Sequence, residues 1–159
     1  MKYILDFTLN GLQTQALVKA SDSLLDVLRD QLGVTGPKRG CDTGDCGTCT
    51  VLLDGKPVRG CLTNALTVNG KSVMTVEGLE HNGKLEPLQE SFIEHGAAQC
   101  GFCTSGMLMS AKSLLESNPH PQRREIAEYL SGNLCRCGCY EEITEAILAL
   151  TQDEDQERT

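Results

Sequence analysis

The ten residues Gly40-Cys41-Asp42-Thr43-Gly44-Asp45-Cys46-Gly47-Thr48-Cys49 hold three cysteines and three glycines. A second dense stretch, Asn133-Leu134-Cys135-Arg136-Cys137-Gly138-Cys139-Tyr140, lies near the far end. With Cys61, Cys100 and Cys103 the count is nine cysteines in 159 residues. Aromatics make up only 4% of the chain and Trp is absent. Aromatic side chains usually carry much of a core's buried area. A chain short of them, split into small units, needs staples.

Disulfides would leave one of nine thiols over. The N-terminus, MKYILDFTLNGLQTQ, shows no signal-peptide pattern and no twin arginine. No apolar run approaches the roughly 18 residues of a membrane span. The expected compartment is therefore the reducing cytoplasm, where structural disulfides are rare, and metal ligation leads. A net charge of −8 argues against a nucleic-acid partner, which a basic face would announce. Part of that charge sits in residues 152–159, expected to form a solvated, disordered acidic tail.

Residues 2–9 and 12–19 read as two strands around the hairpin signal Asn10-Gly11. Ser21-Asp22-Ser23 offers caps for a helix with Leu24, Leu25, Leu28 and Leu32 on one face, closed by Gly33. After the cysteine loop, Thr50–Leu53, Lys56–Val58 and Ser72–Val76 read as short strands, the first two joined by Asp54-Gly55. Helices are expected at Pro87–His95, along Met107, Leu108, Ala111, Leu114 and Leu115, at Arg123–Leu130 with Ile126, Ala127 and Leu130 inward, and along Tyr140, Ile143, Ile147 and Leu150. The fold class is α+β: a small strand-rich unit over 1–78, then a four-helix unit over 79–151. The border falls in the turn-rich stretch 78–83. Four cysteines belong to the first unit and five to the second.

In the first group the spacing is Cys41-x4-Cys46-x2-Cys49, with eleven residues before Cys61. This is the plant-type [2Fe–2S] pattern. Such a cluster with four thiolates carries a net charge of about −2, and about −3 once reduced, so it needs donors around it. Gly40, Gly44 and Gly47 can take positive φ and turn backbone N–H groups inward as a nest. Structural zinc is the alternative, but zinc sites usually pair two short knuckles. In the second group, Cys100-Gly101-Phe102-Cys103 and Cys135-Arg136-Cys137 are separated by 31 residues. Taken alone, these fit zinc as well as iron. Thr104 is expected to cap the following helix, placing Cys100 and Cys103 at an N-terminus that favours thiolate.

QCGFCTSGM (99–107) and GNLCRCGCY (132–140), behind a plant-type loop, resemble the small iron–sulfur subunit of the molybdenum hydroxylases, the xanthine dehydrogenase and aldehyde oxidoreductase family. The resemblance covers about residues 3–150. It implies a β-grasp ferredoxin domain followed by a four-helix [2Fe–2S]-binding bundle. By that pattern Cys41, Cys46, Cys49 and Cys61 bind one cluster, and Cys100, Cys103, Cys135 and Cys137 the other. Gln99 and Cys137 would meet the pterin of a molybdenum cofactor on a large partner subunit. Electrons would pass on to FAD on a medium subunit, and the substrate would be a purine, another N-heterocycle or an aldehyde. The family's usual C-T-P-G reads Cys103-Thr104-Ser105-Gly106 here, and its C-R-C-T-G-Y reads Cys135-Arg136-Cys137-Gly138-Cys139-Tyr140. Cys139 is expected to be a bystander, with a register shift that makes it a ligand as the alternative. An independent two-cluster ferredoxin and a zinc-stapled interaction module are the competing functions.

Other features carry less. Asn69-Gly70-Lys71-Ser72 matches only the end of a P-loop, with Ala65 where the first glycine belongs. His81, His95 and His120 lack ligand spacing and are expected at the surface.

Overall fold

The computed structural model describes the backbone of residues 1–156 and the side chains of residues 1–151. The side chains of the tail expected over 152–159 therefore lie outside the described residues.

Strands β1 (Lys2–Leu9) and β2 (Leu12–Lys19) form an antiparallel hairpin with Leu9 opposite Leu12. Asn10 and Gly11 take φ of 49° and 82°, the left-handed pair that a two-residue turn requires. Helix α1 (Leu24–Asp26) runs on as a wider π-type turn, Val27–Gln31. It starts where expected: Ser23 and Asp26 form a reciprocal capping box. Strands β3 (Thr50–Leu53), β4 (Lys56–Arg59) and β5 (Ser72–Met74) complete a sheet of order β2-β1-β5-β3-β4. The β1–β5 pair is parallel and the others are antiparallel. β5 stops two residues earlier than expected, because the Asn10 side chain takes the Thr75 N–H at 2.8 Å.

The second half is helical: α2 (Pro87–Glu94), α3 (Thr104–Ser117), α4 (Arg123–Tyr129) and α5 (Tyr140–Gln156). Two cores result. Leu5, Phe7, Val18, Leu24, Leu28 and Val51 fill the first. Met107, Leu114, Ile126, Ile143 and Ile147 fill the second, and Leu52 joins them from β3. Successive strand residues point to opposite faces, so Val51 and Leu52 tie β3 into both cores. Two expected inward residues are not inward. Ala127 and Tyr140 are exposed. α4 is short enough that Ile126, with Leu130 just beyond its end, suffices to hold it, and the Tyr140 hydroxyl is engaged elsewhere.

Candidate metal centres

Loop 38–49 leads into β3 and is pinned at its neck. The Lys38 N–H donates to Thr48 O at 2.9 Å, and the Thr48 hydroxyl donates to Lys38 O at 3.1 Å. Within it, the N–H groups of Thr43 and Cys46 each point at Cys41 Sγ from 3.4 Å. Cys61 comes from the turn after β4 and lies 3.4 Å, sulfur to sulfur, from the buried Cys49. Gly47 takes positive φ as expected, and Gly40 does not. Gly40 serves close approach instead: a Cβ there would lie 2.7 Å from Cys46 Sγ and 2.8 Å from Thr48 Oγ1.

The second group gathers at the start of α3 and in the turn before α5. Cys103, not Thr104, is the capping residue; Thr104 is the first helical residue and Ser105 the second. The hydroxyls of Thr104 and Ser105 are buried with no partner. The thiols of Cys103 and Cys139 both neighbour that of Cys135, and the thiol of Cys100 neighbours that of Cys137. Tyr140 Oη accepts the Cys135 N–H at 2.8 Å, which occupies the polar end of an otherwise exposed ring.

The thiols differ in acidity. The Thr43 side chain, then the N–H groups of Cys46 and Thr43, pull Cys41 down to about 6. Burial, then neighbouring Cys49, pushes Cys61 up to about 11. Burial and Cys135 push Cys103 up to about 12. Burial also works against the Cys135 thiolate. The Cys139 N–H, the Cys103 thiol and the N–H groups of Cys137 and Gly138 outweigh it, and Cys135 lies below the ordinary thiol range. The Phe102 N–H, then Cys137, lowers Cys100. Both groups thus present donors to sulfur, as an anionic cluster demands.

A mononuclear zinc site draws four ligands around one ion. A two-iron cluster draws its four thiolates to two irons and spreads them further apart. The first group, three cysteines from one loop and a fourth from a distance, suits the second.

A cleft of about 400 Å³ lies between the groups and is lined by members of both, Cys46 with Cys100, Cys103 and Cys135, and by Phe102 and Arg136. Gln99 and Cys100 are exposed beside it, and Cys137 is half-buried. Cys139 is only 1% exposed and belongs to the helical core. Burial, then the Cys135 neighbour, raises its thiol above the ordinary range. His81 and His120 are exposed, and half-buried His95 faces its own helix through Ser91 O.

Arg59, Asn133 and Tyr140 bear on these centres, and no motif announced them in these roles. Asn133 reaches 86 residues back along the chain and Arg59 reaches 73 forward. No local pattern encodes such contacts.

A mixed sheet with a glycine-rich thiol loop, followed by a helical unit with a second thiol group, defines a two-centre ferredoxin-type chain. Two family profiles agree. A 2Fe-2S iron-sulfur cluster binding domain matches residues 7–71, and a [2Fe-2S] binding domain matches residues 75–148. The nicotine 6-hydroxylase small subunit of Paenarthrobacter nicotinovorans is 52% identical, over 91% of this chain and 87% of that one. The nicotinate dehydrogenase small FeS subunit of Eubacterium barkeri is 42% identical, over 92% and 93%. The crystal structure of quinoline 2-oxidoreductase from Pseudomonas putida 86 superposes with a TM-score of 0.92 at 47% identity, covering 98% of this chain and 97% of that one. The aldehyde oxidoreductase of Desulfovibrio desulfuricans superposes with a TM-score of 0.91, and the match takes up 17% of that longer chain. The chain belongs to the molybdenum hydroxylase and aldehyde oxidoreductase family, as the [2Fe–2S] iron–sulfur subunit of an oxidoreductase.

Proposed function

We propose that this chain carries electrons from a molybdenum cofactor on a large partner subunit, across two [2Fe–2S] clusters, to FAD on a medium subunit. Cys41, Cys46, Cys49 and Cys61 hold one cluster; Cys100, Cys103, Cys135 and Cys137 hold the other. When bound, these groups supply one-electron redox chemistry. The chain's own residues bind and orient them. Backbone N–H groups at Cys41, Cys100 and Cys135 stabilise thiolate, and Gly40 admits the loop close to sulfur. Exposed Gln99 and half-buried Cys137 are assigned to the pterin side. The ferredoxin-like unit is placed at 1–78 and the helical unit at 79–151, in the cytoplasm, where thiols stay reduced. Among the described residues no helix is long and apolar enough to cross a membrane.

The observation that carries this reading is the division of eight thiols into two groups on separate scaffolds, each with N–H donors facing sulfur. Two redox partners need two such faces. The substrate is assigned as an N-heteroaromatic ring compound, with purines as the narrower case. The names of relatives acting on nicotine, nicotinate and caffeine support the broader class. The test is purification of the tagged chain from its source. A large chain with molybdenum and a medium chain with FAD are expected to come with it. A free monomer carrying iron alone would favour an independent ferredoxin and overturn the assignment.

A further inference from the structure

One peptide-to-peptide hydrogen bond joins the two thiol groups. The Leu134 N–H donates to Cys46 O at 2.9 Å. Cys46 belongs to the first group, and Leu134 is the covalent neighbour of Cys135 in the second. A route from Cys46 Sγ to Cys135 Sγ thus follows bonded atoms with one hydrogen bond and no jump through space.

The surroundings of this link are unusually constrained. Asn133 is 3% exposed. Its Nδ2 donates to Gly47 O at 3.0 Å and lies 3.3 Å from Thr50 Oγ1, and its Oδ1 accepts the Ser110 hydroxyl at 2.9 Å. One amide side chain thus spans the cysteine loop, β3 and α3. From the other side, Arg59 Nη2 donates to Gly132 O at 2.6 Å and Nη1 to Thr50 Oγ1 at 2.8 Å. The backbones meet so closely that a Cβ on Gly47 would lie 2.4 Å from Gly132 O. None of these Asn133 or Arg59 bonds goes to a thiol.

We propose that Asn133, with Arg59, is a positioning residue that locks the Cys46–Leu134 link and thereby sets how fast an electron crosses between the two thiol groups. This rests on the two-cluster reading above. One electron leaves one side and arrives at the other; no bond forms and no proton moves. Tunnelling decays more slowly along bonds than across gaps, so stretching this one hydrogen bond slows the crossing. The N–H donors at each thiol stay in place, so the potential of each centre stays where it was.

The test compares the purified complex with its Asn133→Ala and Arg59→Met variants. Exchange of the Leu134 amide is read by mass spectrometry, and equilibration between the centres is followed after flash photoreduction. In Asn133→Ala, exchange at Leu134 is expected to rise about tenfold. Crossing is expected to slow several-fold, with iron content and both midpoint potentials unchanged. Unchanged exchange would overturn the lock. Faster exchange with unchanged crossing would overturn its role in transfer. If Asn133→Ala loses iron, Arg59→Met decides: unchanged crossing in that variant with iron intact overturns the proposal. Fewer than about four irons in the unaltered chain would instead defeat the two-cluster reading; the exchange readout would still report on the lock.

Discussion

Gly106→Ala separates packing from propensity. Gly106 lies within α3, where Ala is ordinarily favoured over Gly by about 1 kcal/mol. Propensity alone therefore expects stabilisation. The structure reverses the sign. The added Cβ would lie 2.4 Å from Gly47 O and 3.2 Å from Asn133 Nδ2. That carbonyl has little freedom to yield. It accepts from the Thr50 N–H at 3.1 Å, the Thr50 hydroxyl at 2.6 Å and Asn133 Nδ2 at 3.0 Å. Moving it breaks those bonds or lifts α3 from β3. Overpacking of this kind costs typically about 1–3 kcal/mol. A 2.4 Å contact against a pinned backbone carbonyl belongs to the upper part of that range, about 2–3 kcal/mol, so with the propensity gain of about 1 kcal/mol subtracted a net loss of about 1–2 kcal/mol remains. For a chain of this size that lowers the melting temperature by roughly 2–8 °C. Thermal unfolding of the iron-loaded chain, followed by circular dichroism, reads it. A melting temperature equal to or above that of the unaltered chain would refute the claim that backbone contact fixes this junction.

The remaining expectations are more local. Cys139→Ser should keep both clusters, whereas Cys137→Ser should lose one; iron content decides, and loss of iron in the Cys139 variant would reassign the ligands. In the metal-free chain, the depressed Cys41 thiol is protonated below about 6 and thiolate above it. Its alkylation by iodoacetamide should therefore level off near pH 7, while Cys61, pushed up to about 11, stays slow to pH 9; a Cys41 midpoint above pH 8 would contradict the donor geometry. Leu52→Ala should cost about 2–5 kcal/mol, measured by urea unfolding, because Leu52 is 2% exposed and belongs to the helical core from a strand of the sheet.

Much of this architecture was legible because local chemistry dictates it. Asn10-Gly11 permits a two-residue turn, Ser23 and Asp26 can cap each other, and the two cysteine blocks have restrictive spacings. The failures share a cause. Helical periodicity placed Ala127 and Tyr140 inward as though each helix had one complete apolar face. The short α4 needs less, and the Tyr140 hydroxyl is drawn to the Cys135 N–H. Thr104 looked like the cap from its residue type, yet the chain enters α3 one residue earlier, through Cys103. Gly40 reads as a turn glycine by residue type, whereas in the structure it makes room for sulfur. The junction built from Arg59, Asn133 and Ser110 joins residues far apart in sequence, where no spacing rule applies.

We propose that each thiol group holds its own [2Fe–2S] cluster. Iron and zinc content of anaerobically purified chain, with EPR after dithionite reduction, tests it most directly. About four irons per chain and two distinct S = 1/2 signals are expected. About two irons with one signal would leave the helical half without a cluster, and zinc with no EPR signal would contradict the redox account altogether.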